Sequence, residues 1–267
     1  MFKESINNFY NKGYHIFNKV FSKKYCEKLI KYLSNKAKPK VFIPFSKSPW
    51  GYGNLLNVGP FLEITKNKTI IGFCKALLGS KMRFNHLEIN NKAAWIGPDV
   101  EWHQEAFNIK TYAPGYTPGD CLKNFTQIFI PLDNQNSKNG GLKIIPCSHK
   151  EDLLPYENFI NSNLGHKRRV KVETLNKLFE KYGVLDLDFK AGDVLVFNHL
   201  LVHGSSNNLT NKDRKSIVLQ CQSGSITKDE KIFVKETNFR RKFVANALKE
   251  KINQIISKNI YTDFKKK

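Results

Sequence analysis

A chain of 267 residues is long enough to bury one substantial hydrophobic core, and β-sandwiches or barrels of this length are often single domains. Its composition, 40% hydrophobic and 25% charged, excludes a chain that is disordered throughout. Five cysteines without a Cys-x-x-Cys pair exclude a disulfide scaffold and a zinc knuckle, and the cytoplasm is the expected compartment.

The formal net charge of +21 raises nucleic acid as a partner. The positive charge is scattered, however, and only six of the 44 basic residues are arginines, the usual side chains for phosphate and base contacts. We therefore interpret the charge as compositional bias or a solvating surface, with an anionic substrate as the alternative, and expect no nucleic-acid partner. No run approaches 18 apolar residues, so we expect no membrane span, and either a monomer or a homo-oligomer.

Helical patterns lie at the two ends of the chain and strand patterns lie between them. The N-terminal helices are predicted within about residues 22–79, the β core at about 83–222 and a C-terminal helix at about 239–258. Within the core, alternation and apolar runs predict strands at 83–90, 100–109, 124–132, 142–146, 194–197 and 215–222.

This order of elements predicts the fold class. Short strands with turn signals in the middle and helices at the ends are typical of a mainly β protein with helical cladding, a double-stranded β-helix or cupin-like jelly roll. We expect one such domain over residues 1–267. The open mouth of a jelly roll lets side chains from separate strands converge on one site.

Two distant segments carry candidate metal ligands. His103 and Glu105 are two residues apart, so on a strand their side chains point to the same side. His203, on a distant predicted strand, would add a second imidazole. Two imidazoles and one carboxylate form the facial triad of non-haem Fe(II) oxygenases, which leaves positions open for oxygen and a co-substrate. The spacing alone does not specify such a site.

Four segments in order carry a resemblance to a known family. They are Gly13–Ile16 before a Ser-capped helix, Trp102–Glu105, Asn139–Lys150, and Ala191–Phe197 followed by His203-Gly204-Ser205 and Arg214. The last three resemble the Trp-His-Gln-Asp, Asn-Gly-x-Leu-x-x-x-Pro-Gly-Ser-His and Gly-Asp…His-x-Ser…Arg segments of the phytanoyl-CoA dioxygenase family. The resemblance spans about residues 9–222.

The resemblance implies an Fe(II)- and 2-oxoglutarate-dependent dioxygenase that uses oxygen to hydroxylate, or otherwise oxidise, a small molecule at an unactivated C–H bond. It implies that iron is held by His103, Glu105 and His203. It also implies that 2-oxoglutarate is held by Arg214, Ser205 and Asn90. A planar guanidinium suits this role because it matches a carboxylate through two hydrogen bonds.

The substrate pocket is predicted around Trp50, Tyr112 and His86, although aromatic residues in loops also serve ordinary packing. His199 is interpreted as structural or as supporting the metal site, because its surroundings look extended rather than helical. Glu105 stands where the family usually has Asp, and its extra methylene moves the carboxylate outward by roughly one C–C bond. This departure supports an alternative function, a catalytically silent jelly-roll module that binds a sugar or an anionic small molecule.

Overall fold

Helices precede most of the strands in the described part of the chain. The computed structural model describes residues 2–36, 45–46, 55–56, 59–95, 97–108, 123–158 and 168–224. The α-helices in these ranges are α1 Lys3–Lys12, α2 Lys23–Lys36, α3 Leu62–Thr65, α4 Lys68–Leu78 and α5 Val172–Tyr182. The predicted C-terminal helix at 239–258 lies outside the described residues. No described helix has the length and apolar character needed to cross a membrane.

The strands form two main antiparallel sheets and one hairpin. The large sheet has the order β1-β10-β5-β12-β3-β2, the small sheet has the order β4-β11-β6-β9, and β7 pairs with β8. The strands are β1 Tyr14–Phe17, β2 Phe45–Ser46, β3 Arg83–Lys92, β4 Val100–His103, β5 Phe125–Pro131, β6 Leu142–Ile144, β7 Tyr156–Asn158, β8 Arg168–Val170, β9 Leu185–Asp186, β10 Val194–Asn198, β11 His203–Ser205 and β12 Arg214–Gln222. The predicted mainly β architecture with helical cladding is confirmed.

Two elements differ from the sequence prediction. Helix α1 was not predicted, because its polar residues obscure a short apolar face that buries Phe9; the helix ends at Gly13, whose φ of +88° suits glycine. The strand predicted at 100–109 ends at His103, and Glu105–Asn108 form a 3₁₀ helix instead. Helices α2 and α4 lie within the range of about 22–79 that was predicted for the N-terminal helices.

The large sheet has an outer face under the helices and an inner face toward the small sheet. Side chains alternate between these faces along each strand. On β12 the outer residues Ile217, Leu219 and Cys221 are buried in the core that α1, α2 and α4 cover. The intervening residues line the inner face, with Arg214 opposite Lys92 of β3. The inner face is therefore the surface on which a site between the sheets would be built.

Candidate metal centre and co-substrate anchor

His103 and His203 lie directly opposite each other on the paired strands β4 and β11. Both side chains are buried, and their ring centroids are 4.2 Å apart. The Nδ1 atom of His103 lies 2.7 Å from the carbonyl oxygen of Glu101, and Nδ1 of His203 lies 2.9 Å from that of Leu201. Because a carbonyl only accepts, each Nδ1 carries the hydrogen and each Nε2 keeps a lone pair available to a metal.

Glu105 completes the cluster from the first residue of the 3₁₀ helix rather than from a strand. Its Oε1 lies 3.5 Å from Nε2 of His203 and 3.9 Å from Nε2 of His103. One ligand atom from each residue falls within 4.8 Å of the other two. The predicted grouping is therefore present, although the predicted reason, alternation along one strand, is wrong.

Gln104 sets the bend between the two ligands. Its fully buried amide donates to the carbonyl oxygens of Asp152, at 2.8 Å, and Leu200, at 2.6 Å, and accepts from the backbone N–H of Leu154, at 2.9 Å. These bonds join the end of β4 to two distant loops. A buried amide that is bonded on both sides holds the backbone firmly, so Gln104 positions Glu105 toward the histidines.

His199 supports the same bend from behind. Its backbone carbonyl accepts from the N–H of Ala106 at 3.0 Å, and its ring stacks on Phe125 with centroids 5.3 Å apart. Burial lowers the pKa of His199 to about 4, so the ring is neutral at pH 7. His199 is not part of the metal-ligand cluster found among the described residues, which agrees with a structural or supporting role.

Arg214 begins β12 and is buried on the inner face. Its Nε and Nη2 donate to the carbonyl oxygen of Gly140, with Nε at 3.2 Å, and Nη1 donates to Ser216 Oγ at 3.0 Å. Burial lowers its pKa to about 10, which still leaves the guanidinium charged at pH 7. Its hydrogen-bond acceptors within the described ranges are neutral. A buried cation with neutral acceptors is a receptor for an anion.

Lys92 adds a second buried basic side chain, which sequence reasoning missed. It lies opposite Arg214, and its Nζ donates to the carbonyl oxygen of Ser206. Burial, reinforced by the charge of Arg214, lowers the pKa of Lys92 to about 6. Gly140 allows this close approach, because a Cβ there would lie 2.8 Å from Lys92 Cδ. A carboxylate bound between the two side chains would relieve their repulsion.

The remaining predicted co-substrate residues lie near this pair in the fold. Ser205 is buried on β11, two residues beyond His203. Asn90 faces the interior opposite Ser216, and its Oδ1 is buried without a hydrogen-bond partner among the described residues. Ser216 was missed in the sequence, although its Arg-x-Ser spacing on a strand places both side chains on one face.

The predicted substrate residues are only partly covered by the structure. His86 lies on the inner face of β3, where its Nε2 is 3.2 Å from Glu88 Oε2. Trp50 and Tyr112 lie outside the described residues. The structure therefore assigns a position to one of the three.

The amino-acid sequence is similar to those of known enzymes. The chain is 24% identical over 163 residues to an ectoine dioxygenase of Nocardia farcinica, an alignment that covers 59% of this chain and 53% of that protein. It is 27% identical over 167 residues to an L-proline trans-4-hydroxylase of Streptomyces griseoviridis, covering 59% and 60%. The chain thus spans little more than half the length of these relatives.

Solved structures share the fold at low sequence identity. The crystal structure of EctD from S. alaskensis with 2-oxoglutarate and 5-hydroxyectoine matches with a TM-score of 0.66 at 19% identity, covering 84% of this chain and 77% of that chain. EvdO2 from Micromonospora carbonacea matches with a TM-score of 0.64 at 17% identity, covering 85% and 93%. The jelly-roll prediction is thereby confirmed.

The family comparison covers most of the chain. The family model described as "Phytanoyl-CoA dioxygenase (PhyH)" matches residues 9–216 of the chain. This range contains His103, Glu105, His203 and Arg214. The chain belongs to the phytanoyl-CoA dioxygenase family.

Proposed function

We propose that the protein is an Fe(II)- and 2-oxoglutarate-dependent dioxygenase that hydroxylates a small molecule at an unactivated C–H bond. The observation that carries this proposal is the His-Glu-His cluster in the same barrel as a buried Arg214 beside Lys92. Two imidazoles with one carboxylate are the ligand set of non-haem Fe(II) oxygenases. A buried guanidinium beside a lysine that can take up a proton is suited to bind a carboxylate of the co-substrate.

The donor set fits iron. His103, Glu105 and His203 would supply two nitrogens and one oxygen, and both histidine tautomers are already set by backbone carbonyls. When bound, Fe(II) with 2-oxoglutarate supplies the activation of oxygen that the side chains of this chain lack. The residues around it hold the ligands in place, with Gln104 and His199 fixing the turn that carries Glu105.

The co-substrate would be oriented by the other end of the inner face. Arg214 would donate two hydrogen bonds to its distal carboxylate, and Ser216 keeps the guanidinium plane in place at 3.0 Å. Lys92 would take up a proton as the carboxylate binds, because an adjacent negative charge raises the pKa of an ammonium group. Asn90 and Ser205 would complete the contacts. These buried groups exclude water from the co-substrate.

The relatives support a small-molecule substrate. The two similar proteins are named an ectoine dioxygenase and an L-proline trans-4-hydroxylase. Because the chain spans little more than half of those proteins and is 24% and 27% identical to them over the aligned residues only, neither compound is assigned to it. The proposal is therefore limited to the reaction class.

Anaerobic addition of Fe(II) and 2-oxoglutarate tests this function. The expected result is a visible charge-transfer absorption band that requires both additions, is lost in His203→Ala and is kept in the matched variant His15→Ala. His15 lies on β1 of the large sheet, outside the metal-ligand cluster. Absence of the band in the wild-type protein would refute the proposal, and retained binding of 2-oxoglutarate without metal would favour the silent binding module.

A further inference from the structure

A polar row crosses the inner face of the large sheet at the level of the metal ligands. The ring of Phe197 packs against that of His203, with centroids 4.8 Å apart. Phe197 pairs with Gln127, Gln127 pairs with Gln220, and Gln220 pairs with His86. Because paired residues share a face, three polar side chains follow Phe197 across neighbouring strands. A substrate that is oxidised at the metal would contact this row.

Glu88 lies one step along β3 from this row, on the same face. Its Oε2 is 3.2 Å from Nε2 of His86, and its side chain is 13% exposed. Within the described ranges, Glu88 is the only carboxylate that the strand register places on the inner face of the large sheet. In a chain of net charge +21, compositional bias does not account for an acidic group at this place.

Gln127 provides an independent sign of a ligand. The residue is 6% exposed, and its Oε1 is buried without a hydrogen-bond partner among the described residues. A buried oxygen without a donor destabilises the fold, and buried polar atoms are nearly always hydrogen-bonded, so a donor on a ligand would satisfy this oxygen. The missing partner of Gln127 Oε1 is a hydrogen-bond donor.

We propose that the substrate carries a protonated nitrogen whose N–H groups donate to Glu88 and Gln127. This inference rests on the proposed function and adds the substrate class to it. Along β3 the inner-face order is His86, Glu88, Asn90 and Lys92, so Glu88 lies between the polar row and the residues proposed for the co-substrate. A substrate cation at Glu88 and a co-substrate carboxylate at Arg214 would each have an oppositely charged partner.

Three five-membered rings that differ in charge test this inference. Pyrrolidine is cationic at pH 7.5, cyclopentanol is neutral, and cyclopentanecarboxylate is anionic. Ligand-observed NMR would measure the dissociation constant of each probe on the full chain, first without metal and then with Fe(II) and 2-oxoglutarate under anaerobic conditions. The variants are Glu88→Gln, Gln127→Leu and, as a matched control, Glu63→Gln, an exposed carboxylate that pairs with Lys66 on the helical side. Thermal unfolding of each variant checks that it is folded.

The expected result is a preference for pyrrolidine of roughly tenfold or more over the other probes, the scale of one charge-assisted hydrogen bond. Glu88→Gln should remove this preference, Gln127→Leu should reduce it, and Glu63→Gln should keep it. Equal binding of the three probes, preference for the carboxylate, or an unchanged preference in Glu88→Gln would overturn the inference. If the charge-transfer band is absent but pyrrolidine is still selected through Glu88, the oxygenase proposal fails and the charge preference stands.

Discussion

The two faces of the large sheet are built from alternate residues of the same strands but do opposite things to stability. On the outer face, apolar side chains such as Ile217, Leu219 and Ile128 are completely buried under helices. On the inner face, Arg214 and Lys92 are just as well buried, and the loss of hydration lowers the pKa of each side chain. The outer face stabilises the fold, whereas the buried polar groups of the inner face destabilise it and form the candidate site.

This difference explains why the site can be so polar. Burial of apolar surface contributes roughly 25 cal/mol per Å² to stability. On the outer face, apolar side chains of the strands are buried against helices α1, α2 and α4. Buried cationic groups cost several kcal/mol each unless a partner compensates them. Changes on the outer face should therefore lower stability without altering ligand binding, whereas changes on the inner face should alter ligand binding and, where a buried charge is removed, raise stability.

The largest effect is expected from Phe73→Ala on helix α4. Phe73 is completely buried, and its ring packs edge-on against Phe2, Phe9 and Phe17. The cavity left by its removal should lower the free energy of unfolding by about 3–5 kcal/mol, measured by urea denaturation.

Metal affinity of the folded Phe73→Ala protein, measured at low temperature, should stay close to that of the wild type. The exposed Val184 gives a control, because Val184→Ala should change stability by less than about 0.5 kcal/mol. A loss of metal affinity without a loss of stability in Phe73→Ala would break the separation between the two faces.

Lys92→Met should stabilise the protein. An ordinary lysine titrates near 10.5, whereas the buried Lys92 has a pKa of about 6. Between these pH values the unfolded chain binds the additional proton, so wild-type stability rises with pH in this window. Below about pH 6 the folded protein carries the full free-energy cost of the buried Lys92 charge. Above about pH 10.5, the pKa of the lysine in the unfolded chain, this cost is absent.

The free energy of unfolding of Lys92→Met should therefore exceed that of the wild type most near pH 6, by roughly 2–4 kcal/mol after the lost hydrogen bond to Ser206 is subtracted. The difference should shrink progressively toward pH 9. Urea denaturation at pH 6, 7.5 and 9 measures this, with Lys66→Met as an exposed control. The same variant should bind 2-oxoglutarate more weakly. A pH-independent change in stability would contradict the assignment.

The sequence predicted the His-Glu-His cluster but not the backbone that brings it together. His103, Glu105 and His203 were found from residue type, spacing and family resemblance. The bend at Gln104 was not, because it depends on hydrogen bonds to Asp152 and Leu200, which are about 50 and 100 residues away along the chain. Local periodicity carries no information about such partners.

Lys92 and helix α1 were missed for a related reason. In a chain with 44 basic residues, one more lysine just beyond the predicted strand 83–90 has the appearance of a surface residue. Only the register that sets Lys92 opposite Arg214 shows that it is buried. Helix α1 is likewise held by Phe9 packing on Phe73, a contact between residues that are 64 positions apart along the chain. The class of fold follows from patterns, whereas burial of individual polar residues follows from tertiary contacts.

Arg214→Lys should weaken the binding of 2-oxoglutarate roughly 10- to 100-fold while preserving the charge. A lysine cannot reproduce the planar fork that bonds Gly140 and Ser216 and leaves a face for a carboxylate. Isothermal titration with the metal-loaded anaerobic protein measures the change. Arg169→Lys is the matched control, because Arg169 pairs with Glu157 and Glu101 away from the inner face, and it should bind normally. If Arg214→Lys bound 2-oxoglutarate as tightly as Arg169→Lys, charge alone would anchor the co-substrate.

The smallest effect is expected from Glu105→Asp, which restores the residue that the family usually has. The Glu105 carboxylate reaches both histidines from a 3₁₀ turn, at 3.5 and 3.9 Å from their Nε2 atoms. Shortening the side chain by roughly 1.5 Å draws the oxygen back from the cluster, because the turn fixed by Gln104 does not move with it. Fe(II) affinity should fall by roughly tenfold or less, about 1 kcal/mol, in an anaerobic titration, whereas Glu105→Ala should remove it. Tighter iron binding by Glu105→Asp would mean that the turn carrying residue 105 is free to adjust.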